Sequence, residues 1–374
     1  MKIGIDIRPL RDVKTGIGRY ILSLTNALAE SNRTNEYVLF YNGFGPRVPE
    51  GLPQKPNFHL SNFHWPRKIL TAIWAYTESP RVERFIGDID VFHSPGFQVP
   101  PSQKAASVFT LYDLIALSHP ELAIPSAVRH IRPRIKHYAR RADLIVAISQ
   151  ATAREVERLL DIPSEKIVTI YPGTVPLLKS SPDDISRTKQ KFGLGENYVL
   201  FVSRLDPRKN LPRLIRAFEM TGLYAEFKLV IVGPEGWRMK ETFQTWRAAR
   251  CRDRIQWLNY VTDYDLISLY SGATFLAYPS LLEGFGLPIL EAMSVGCPVL
   301  TSNVSSMPEA AGDAALYVDP YDIESIADGF LQLAQLPDLR HQLSQKGYLR
   351  VREFSWARVA EELADIYEKA SQMH

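Results

Sequence analysis

ATFLAYPSLLEGFGLPILEAMSVGCPVLTS, residues 273–302, carries the reading of the fold. An apolar run from Thr274 to Tyr278 predicts a strand, which Pro279 breaks. A Gly-rich loop, Glu283-Gly284-Phe285-Gly286-Leu287, follows, and Pro288 opens a short helix that ends at Gly296. Pro just inside a helix and Gly just past it are the usual punctuation. Pro298 then leads into a second buried strand, Val299 to Thr301, so the stretch reads as strand, phosphate-type loop, helix, strand. The start of such a helix concentrates unpaired backbone N–H groups and the positive end of the dipole, which suits an anion. Two glutamates flank it, Glu283 before the glycines and Glu291 in what the spacing makes the first helical turn. Carboxylates beside a phosphate site make sense when the ligand also carries sugar hydroxyls that donate to them. The stretch therefore predicts a nucleotide-sugar site; the plainer reading is a surface loop with a glutamate capping a helix.

At 374 residues the chain exceeds what one hydrophobic core usually supports, which predicts two domains. Only Cys251 and Cys297 are present, far apart, so a disulfide framework or a cysteine-built zinc site is excluded and a reducing cytoplasm is expected. Charges at Asp6, Arg8, Arg11 and Asp12 interrupt the N-terminus where a signal peptide would be apolar. No apolar run reaches the length of a membrane span.

The net charge of +3 hides an asymmetry. The first 180 residues hold 23 Lys and Arg against 16 Asp and Glu, and the remainder 21 against 25. Much of the excess is the run Arg129 to Arg141, RHIRPRIKHYARR. It reads either as a solvated helix face or as contact with an acidic surface, anionic lipid of the inner membrane face or a phosphate-bearing acceptor. Aromatic residues are not interleaved with the charges as single-strand binding requires, so no nucleic acid is expected.

Along the chain, Lys2 to Ile7 predicts a buried first strand, a loop runs to Thr15-Gly16-Ile17-Gly18, and Tyr20, Leu24, Ala27 and Leu28 mark a helix before the strand Tyr37 to Tyr41. This βαβ opening predicts a parallel sheet with right-handed crossovers. A dinucleotide fingerprint would need a third glycine where Ile21 stands. Further strands are expected at 91–93, 106–111, 144–148 and 166–170. The polar stretch Lys179 to Asp184 reads as an interdomain linker, and a second alternating pattern begins at Tyr198. The expected architecture is α/β, with two doubly wound Rossmann-like domains facing across a cleft. Residues 1–178 form the first, with the helix 356–374 packing back on it, and residues 179–355 the second.

Three motifs in order carry a resemblance: Ser203-Arg204-Leu205-Asp206-Pro207-Arg208-Lys209-Asn210, the segment from Glu283 to Glu291, and Ser306-Met307-Pro308-Glu309 continuing through Gly312, Tyr317 and Asp319. Over nearly its whole length the chain resembles the retaining glycosyltransferases of family 4, which have the GT-B fold and include bacterial O-antigen and capsule mannosyltransferases. The resemblance implies that Arg204 and Lys209 grip the donor diphosphate, that Phe285, Gly286 and Leu287 add backbone N–H groups, and that Glu283 orients the transferred sugar and Glu291 the ribose. It places the nucleobase at Tyr260 and Val261, and lets Gly16 and Gly18 approach the donor. Where the family often ends a strand in His-Asp, this chain has Tyr112-Asp113, so Tyr112 is the candidate for the histidine's place and His119 a second. Arg129 and Arg132 are candidate acceptor contacts.

The expected activity is transfer of a hexose, mannose from GDP-mannose first and glucose or N-acetylhexosamine from a uridine donor second, to a lipid-linked or growing polysaccharide acceptor in the cytoplasm. A non-catalytic partner that binds nucleotide sugar is the alternative of another class. A glycosidase would leave Arg204 and Lys209 without a task. Asp88-Ile89-Asp90 has the spelling of a metal motif but lies before a strand far from the phosphate loop, so no metal or other cofactor is expected.

Overall fold

The computed structural model describes residues 1–12, 16–31, 34–42, 49–96 and 98–374. It divides into two compact units, one of Met1–Gly173 with Ser355–His374 and one of Thr174–Phe354.

Among the described residues the first unit holds strands β1 (Lys2–Asp6), β2 (Glu36–Asn42), β3 (Phe58–Phe63), β4 (Val91–Ser94), β5 (Ala106–Leu111), β6 (Leu144–Ala147) and β7 (Ile167–Thr169). Their order is β3-β2-β1-β4-β5-β6-β7, with every pairing parallel. The central strands are continuous apolar runs because helices cover both faces of such a sheet. Strand β3 (FHLSNF) has little apolar pattern of its own; stacking of Phe58 on Tyr37 and Phe63 on Phe40, both at 4.5 Å, helps hold it on the edge.

The second unit holds β8 (Asn197–Val202), β9 (Phe227–Val232), β10 (Ile255–Leu258), β11 (Phe275–Tyr278), β12 (Val299–Ser302) and β13 (Leu316–Val318), again all parallel, in the order β10-β9-β8-β11-β12-β13. Both sheets are doubly wound. The chain travels outward in one direction from β1 or β8, then returns beside that strand and travels outward in the other.

The helix Trp356–Ser371 belongs to the first unit. The Trp356 ring meets Tyr20 of the helix Gly16–Glu30 edge-on at 5.2 Å, and the Tyr367 hydroxyl lies 2.7 Å from His93 Nδ1 on β4. The other nitrogen of His93 lies 2.8 Å from Thr110 Oγ1, and burial of the ring pushes its pKa down to about 3. Among the described residues no helix is long and apolar enough to cross a membrane.

Two local expectations change. The stretch Lys179 to Asp184 is not all linker, because Ser181 caps a helix, Pro182–Lys191, by accepting a bond from the Asp184 backbone N–H. Ser, then Pro, then two aspartates is a helix-start sequence, with the acids on the positive end of the dipole. Gly16 and Gly18 stand in the first turn of a helix rather than in a loop. Thr15, read as part of that loop, lies outside the described residues.

Candidate active site

Strands β8 and β11 are neighbours whose chains leave in opposite directions, which makes the ends of these two strands the switch point of the second sheet. The loop 203–210 follows β8 and the loop 279–286 follows β11, and they are tied to each other. The Leu281 N–H donates to the Arg208 carbonyl at 2.7 Å. Buried Asn210, in the left-handed region at φ 61°, donates from its side chain to the carbonyls of Pro279 (3.0 Å) and Pro320 (2.7 Å).

Three cations of the loop 203–210 have different fates. Arg208 is folded back on buried Asp206, its Nε 3.1 Å and Nη2 3.0 Å from the carboxylate oxygens. Lys209 is buried, with its ammonium 2.5 Å from Glu283 Oε1 and 2.8 Å from the Tyr278 hydroxyl. Arg204 is exposed.

Tyr278 in turn donates to Glu283 Oε1 at 2.8 Å, so ammonium, phenol and carboxylate form a closed triangle. Burial pushes the Glu283 carboxyl up, but the charges of Lys209 and Arg208 and the bonds from Lys209 and Tyr278 outweigh it, and its pKa falls below the ordinary value. Burial and the adjacent carboxylate raise the Tyr278 phenol well above its ordinary value, so it stays a neutral donor. The hydroxyls of Ser305 and Ser306 both donate to the Glu283 carbonyl at 2.9 Å, which fixes the backbone as well as the side chain.

The helix Leu287–Ser294 begins after Gly286, whose φ of 106° favours glycine. Because the helix starts at Leu287, Glu291 lies in its second turn and not, as its spacing suggested, in the first. Its carboxylate accepts a bond from buried Tyr270 at 2.9 Å. The Phe285 side chain is buried against Phe354, so this residue can offer a ligand only its backbone. Tyr260 and Val261 follow β10 at the sheet edge, and Tyr260 is 82% exposed.

The remaining candidates lie in the first unit. Tyr112 donates its hydroxyl proton to the Pro95 carbonyl at 2.8 Å, and burial raises its pKa well above the ordinary value. It can therefore accept from a ligand but has already placed its proton. His119 is partly exposed, 3.1 Å from Glu121, and Arg129 and Arg132 are exposed. Asp90 accepts the Lys2 backbone N–H at 2.7 Å, and among the described residues no three His, Cys, Asp or Glu side chains gather as a metal site.

Sequence reasoning missed Tyr278, Asn210 and the pair Gly233 and Gly236. The glycines let the loop after β9 press on the loop 203–210: a Cβ on Gly233 would meet the Ser203 carbonyl oxygen at 1.9 Å and one on Gly236 the Leu205 carbonyl oxygen at 2.0 Å. The spacing Gly233-Pro234-Glu235-Gly236 directly after a strand was the available signal.

Residues 14–176 match the family described as Glycosyltransferase Family 4, and residues 183–350 that described as Glycosyl transferases group 1. Over 380 residues the chain is 31% identical to O-antigen chain mannosyltransferase B of Escherichia coli, covering 98% of this chain and 99% of that one. The chain belongs to the family 4 glycosyltransferases. This glycosyltransferase is also 28% identical over 229 residues to O-antigen chain mannosyltransferase RfbU of Salmonella typhimurium, covering 61% of each. Two solved structures share its GT-B fold. Sucrose-phosphate synthase from Thermosynechococcus elongatus has a TM-score of 0.76 at 20% identity, with both chains fully covered. HepE from Anabaena has 0.74 at 19%, covering 99% of this chain and all of the other.

Proposed function

We propose that this glycosyltransferase moves mannose from GDP-mannose to a lipid-linked or growing polysaccharide acceptor with retention of anomeric configuration and without a metal ion. The observation that carries the reading is the Lys209–Glu283–Tyr278 triangle, beside which the loop 203–210 also presents Arg204. The near full-length relation to an O-antigen mannosyltransferase supports the choice of sugar.

In the reaction the bond from the anomeric carbon to the β-phosphate oxygen breaks and its electron pair leaves with the nucleoside diphosphate. The acceptor hydroxyl forms the new bond and gives its proton to the departing diphosphate. Charge builds on that diphosphate, and fixed cations stabilise it more in the transition state than in the ground state. Arg204 and Lys209 take that part, with the first-turn N–H groups of the helix Leu287–Ser294. Glu283 accepts from hydroxyls of the transferred sugar and Glu291 from the ribose, while Tyr260 and Val261 meet the base. The first unit takes the acceptor.

A thermal-shift panel of guanosine and uridine diphosphates and their sugars, with chelator present, tests the donor. A ligand at about a hundred times its dissociation constant stabilises by ~2.7 kcal/mol, which is readily seen. Stabilisation by the guanosine set alone, followed by chelator-insensitive transfer of mannose with its α configuration kept, is the expected result. Stabilisation by the uridine set replaces the sugar, an inverted product removes the retaining mechanism, and binding without transfer favours the non-catalytic alternative.

A further inference from the structure

Tyr278 ends β11, directly before Pro279, and its hydroxyl reaches the place where the loops 203–210 and 279–286 meet. Its ring is buried and stacks on Phe201 of β8 at 6.2 Å, and its carbonyl accepts from Thr301 Oγ1 at 2.9 Å. Ring and backbone are thus held by the sheet. A phenylalanine would fill the same space, so packing does not account for the hydroxyl.

That hydroxyl makes two bonds of opposite sense. It accepts from the Lys209 ammonium at 2.8 Å and donates to Glu283 Oε1 at 2.8 Å, and Lys209 donates to the same Oε1. A carboxylate offers two oxygens and an ammonium three protons. Both side-chain bonds to Glu283 fall on Oε1, and among the described residues none falls on Oε2. Two Lys209 protons are engaged, and among the described residues no third acceptor bonds the ammonium. The triangle therefore offers a ligand one N–H and one carboxylate oxygen, which suits a phosphate oxygen joined to a hydroxylated ring. Arg208, the other cation acting on Glu283, is itself held by Asp206.

We propose that Tyr278 is a positioning residue for the transfer step, holding Glu283 by Oε1 while the Lys209 ammonium is drawn to the departing diphosphate. The inference rests on the transferase reading above and deepens it. As the bond to the β-phosphate oxygen breaks, negative charge grows on the diphosphate, and Lys209 divides its attraction between that charge and Glu283. The Lys209 bond to Oε1 weakens at that moment, and the bond from Tyr278 is the one that remains. A phenol so buried beside a carboxylate keeps its proton throughout, so the role involves no proton transfer.

Tyr278→Phe in the full chain keeps the ring and removes the hydroxyl. Turnover is read as nucleoside diphosphate released from GDP-mannose, or from the donor that the thermal-shift panel selects, with a lipid-linked glycan extract as acceptor. The kcat is expected to fall about 10- to 100-fold, as for loss of a hydrogen bond to a charged group, while donor KM and thermal stabilisation by donor stay near the unsubstituted values. The same change should cost much less in a Glu283→Gln background, where the charge to be held is gone, and its full factor in an Arg204→Ala background. Lys209, Arg208 and Tyr278 are the groups that act on the Glu283 carboxyl. Tyr278→3-fluorotyrosine, a stronger donor of nearly the same shape, keeps the test open if the Phe variant does not fold, and should move the acid limb of the kcat profile to lower pH. An unchanged kcat in Tyr278→Phe, a loss confined to KM, full additivity with Glu283→Gln, or an acid limb unmoved by 3-fluorotyrosine overturns the proposal. Absence of donor stabilisation and turnover in the unsubstituted chain removes the transferase reading and this inference with it, so the two failures are distinguishable.

Discussion

Lys209 and Glu283, 74 residues apart in sequence, meet at 2.5 Å in the interior of the second unit, with the Tyr278 hydroxyl 2.8 Å from both. A pair so placed acts on stability as well as on chemistry. Removing one partner of a buried ion pair leaves an uncompensated charge, which costs about 3–5 kcal/mol.

Glu283→Ala and Lys209→Met are therefore expected to lose both turnover and thermal stability. The stability contributed by Glu283 has a definite pH window, because its folded pKa is depressed. The contribution is complete above the unfolded value near 4.3 and disappears as pH falls through the folded value. Urea titrations across the acid range should show a shallower acid loss in Glu283→Gln than in the unsubstituted chain.

Arg204→Ala should behave differently, since its side chain is exposed. Stability is expected to stay within about 0.5 kcal/mol, while kcat falls by roughly 100- to 1000-fold, the usual loss on removing one donor to a developing oxyanion. Steady-state kinetics together with a melting curve separate the two effects. An unchanged kcat would remove Arg204 from the mechanism.

Gly233→Ala tests the backing of the cation loop. The added Cβ would lie 1.9 Å from the Ser203 carbonyl oxygen, and φ there is 136°, so the loop must shift. Weaker nucleotide binding by calorimetry and a lower melting point are expected together. Gly16→Ala, where a Cβ meets nothing within 4 Å, is the control for glycine replacement and should leave the melting point nearly unchanged.

His93 predicts an acid-labile first unit. Its folded pKa of about 3 lies below the unfolded value near 6.5, so the unfolded chain takes up the proton first. The stability from this group is complete above pH 6.5 and falls by about 1.4 kcal/mol per pH unit below it. Tyr367→Phe, which removes the 2.7 Å contact, should destabilise at all pH values, by about 1 kcal/mol or more. His93→Gln should flatten the slope between pH 6 and 4.

Much of the fold was legible in the chain. Apolar runs bounded by Pro and Gly gave β11 and β12 and the helix between them to within a residue or two, because burial on both faces of a parallel sheet leaves a local mark. Strand β3 left no such mark, since half of its residues face solvent and its place is fixed by pairing with β2. The linker reading of 179–184 failed for the opposite reason. Polar residues beside Pro are common to loops and helix starts, and only the bond from Asp184 N–H to Ser181 tells them apart.

The sequence by itself determined the alternation of strands and helices, the two doubly wound halves, and the residue types of the site, Arg204, Lys209, Glu283 and Glu291. These follow from local periodicity and from motifs contiguous in the chain. Only the tertiary structure decided that Lys209 neutralises Glu283, that Tyr278 joins them, that Tyr112 has its proton on Pro95, and that His93 binds Tyr367 from 274 residues away. Such pairings depend on which strands are neighbours and on what each burial must satisfy, and neither is written in any single stretch of sequence.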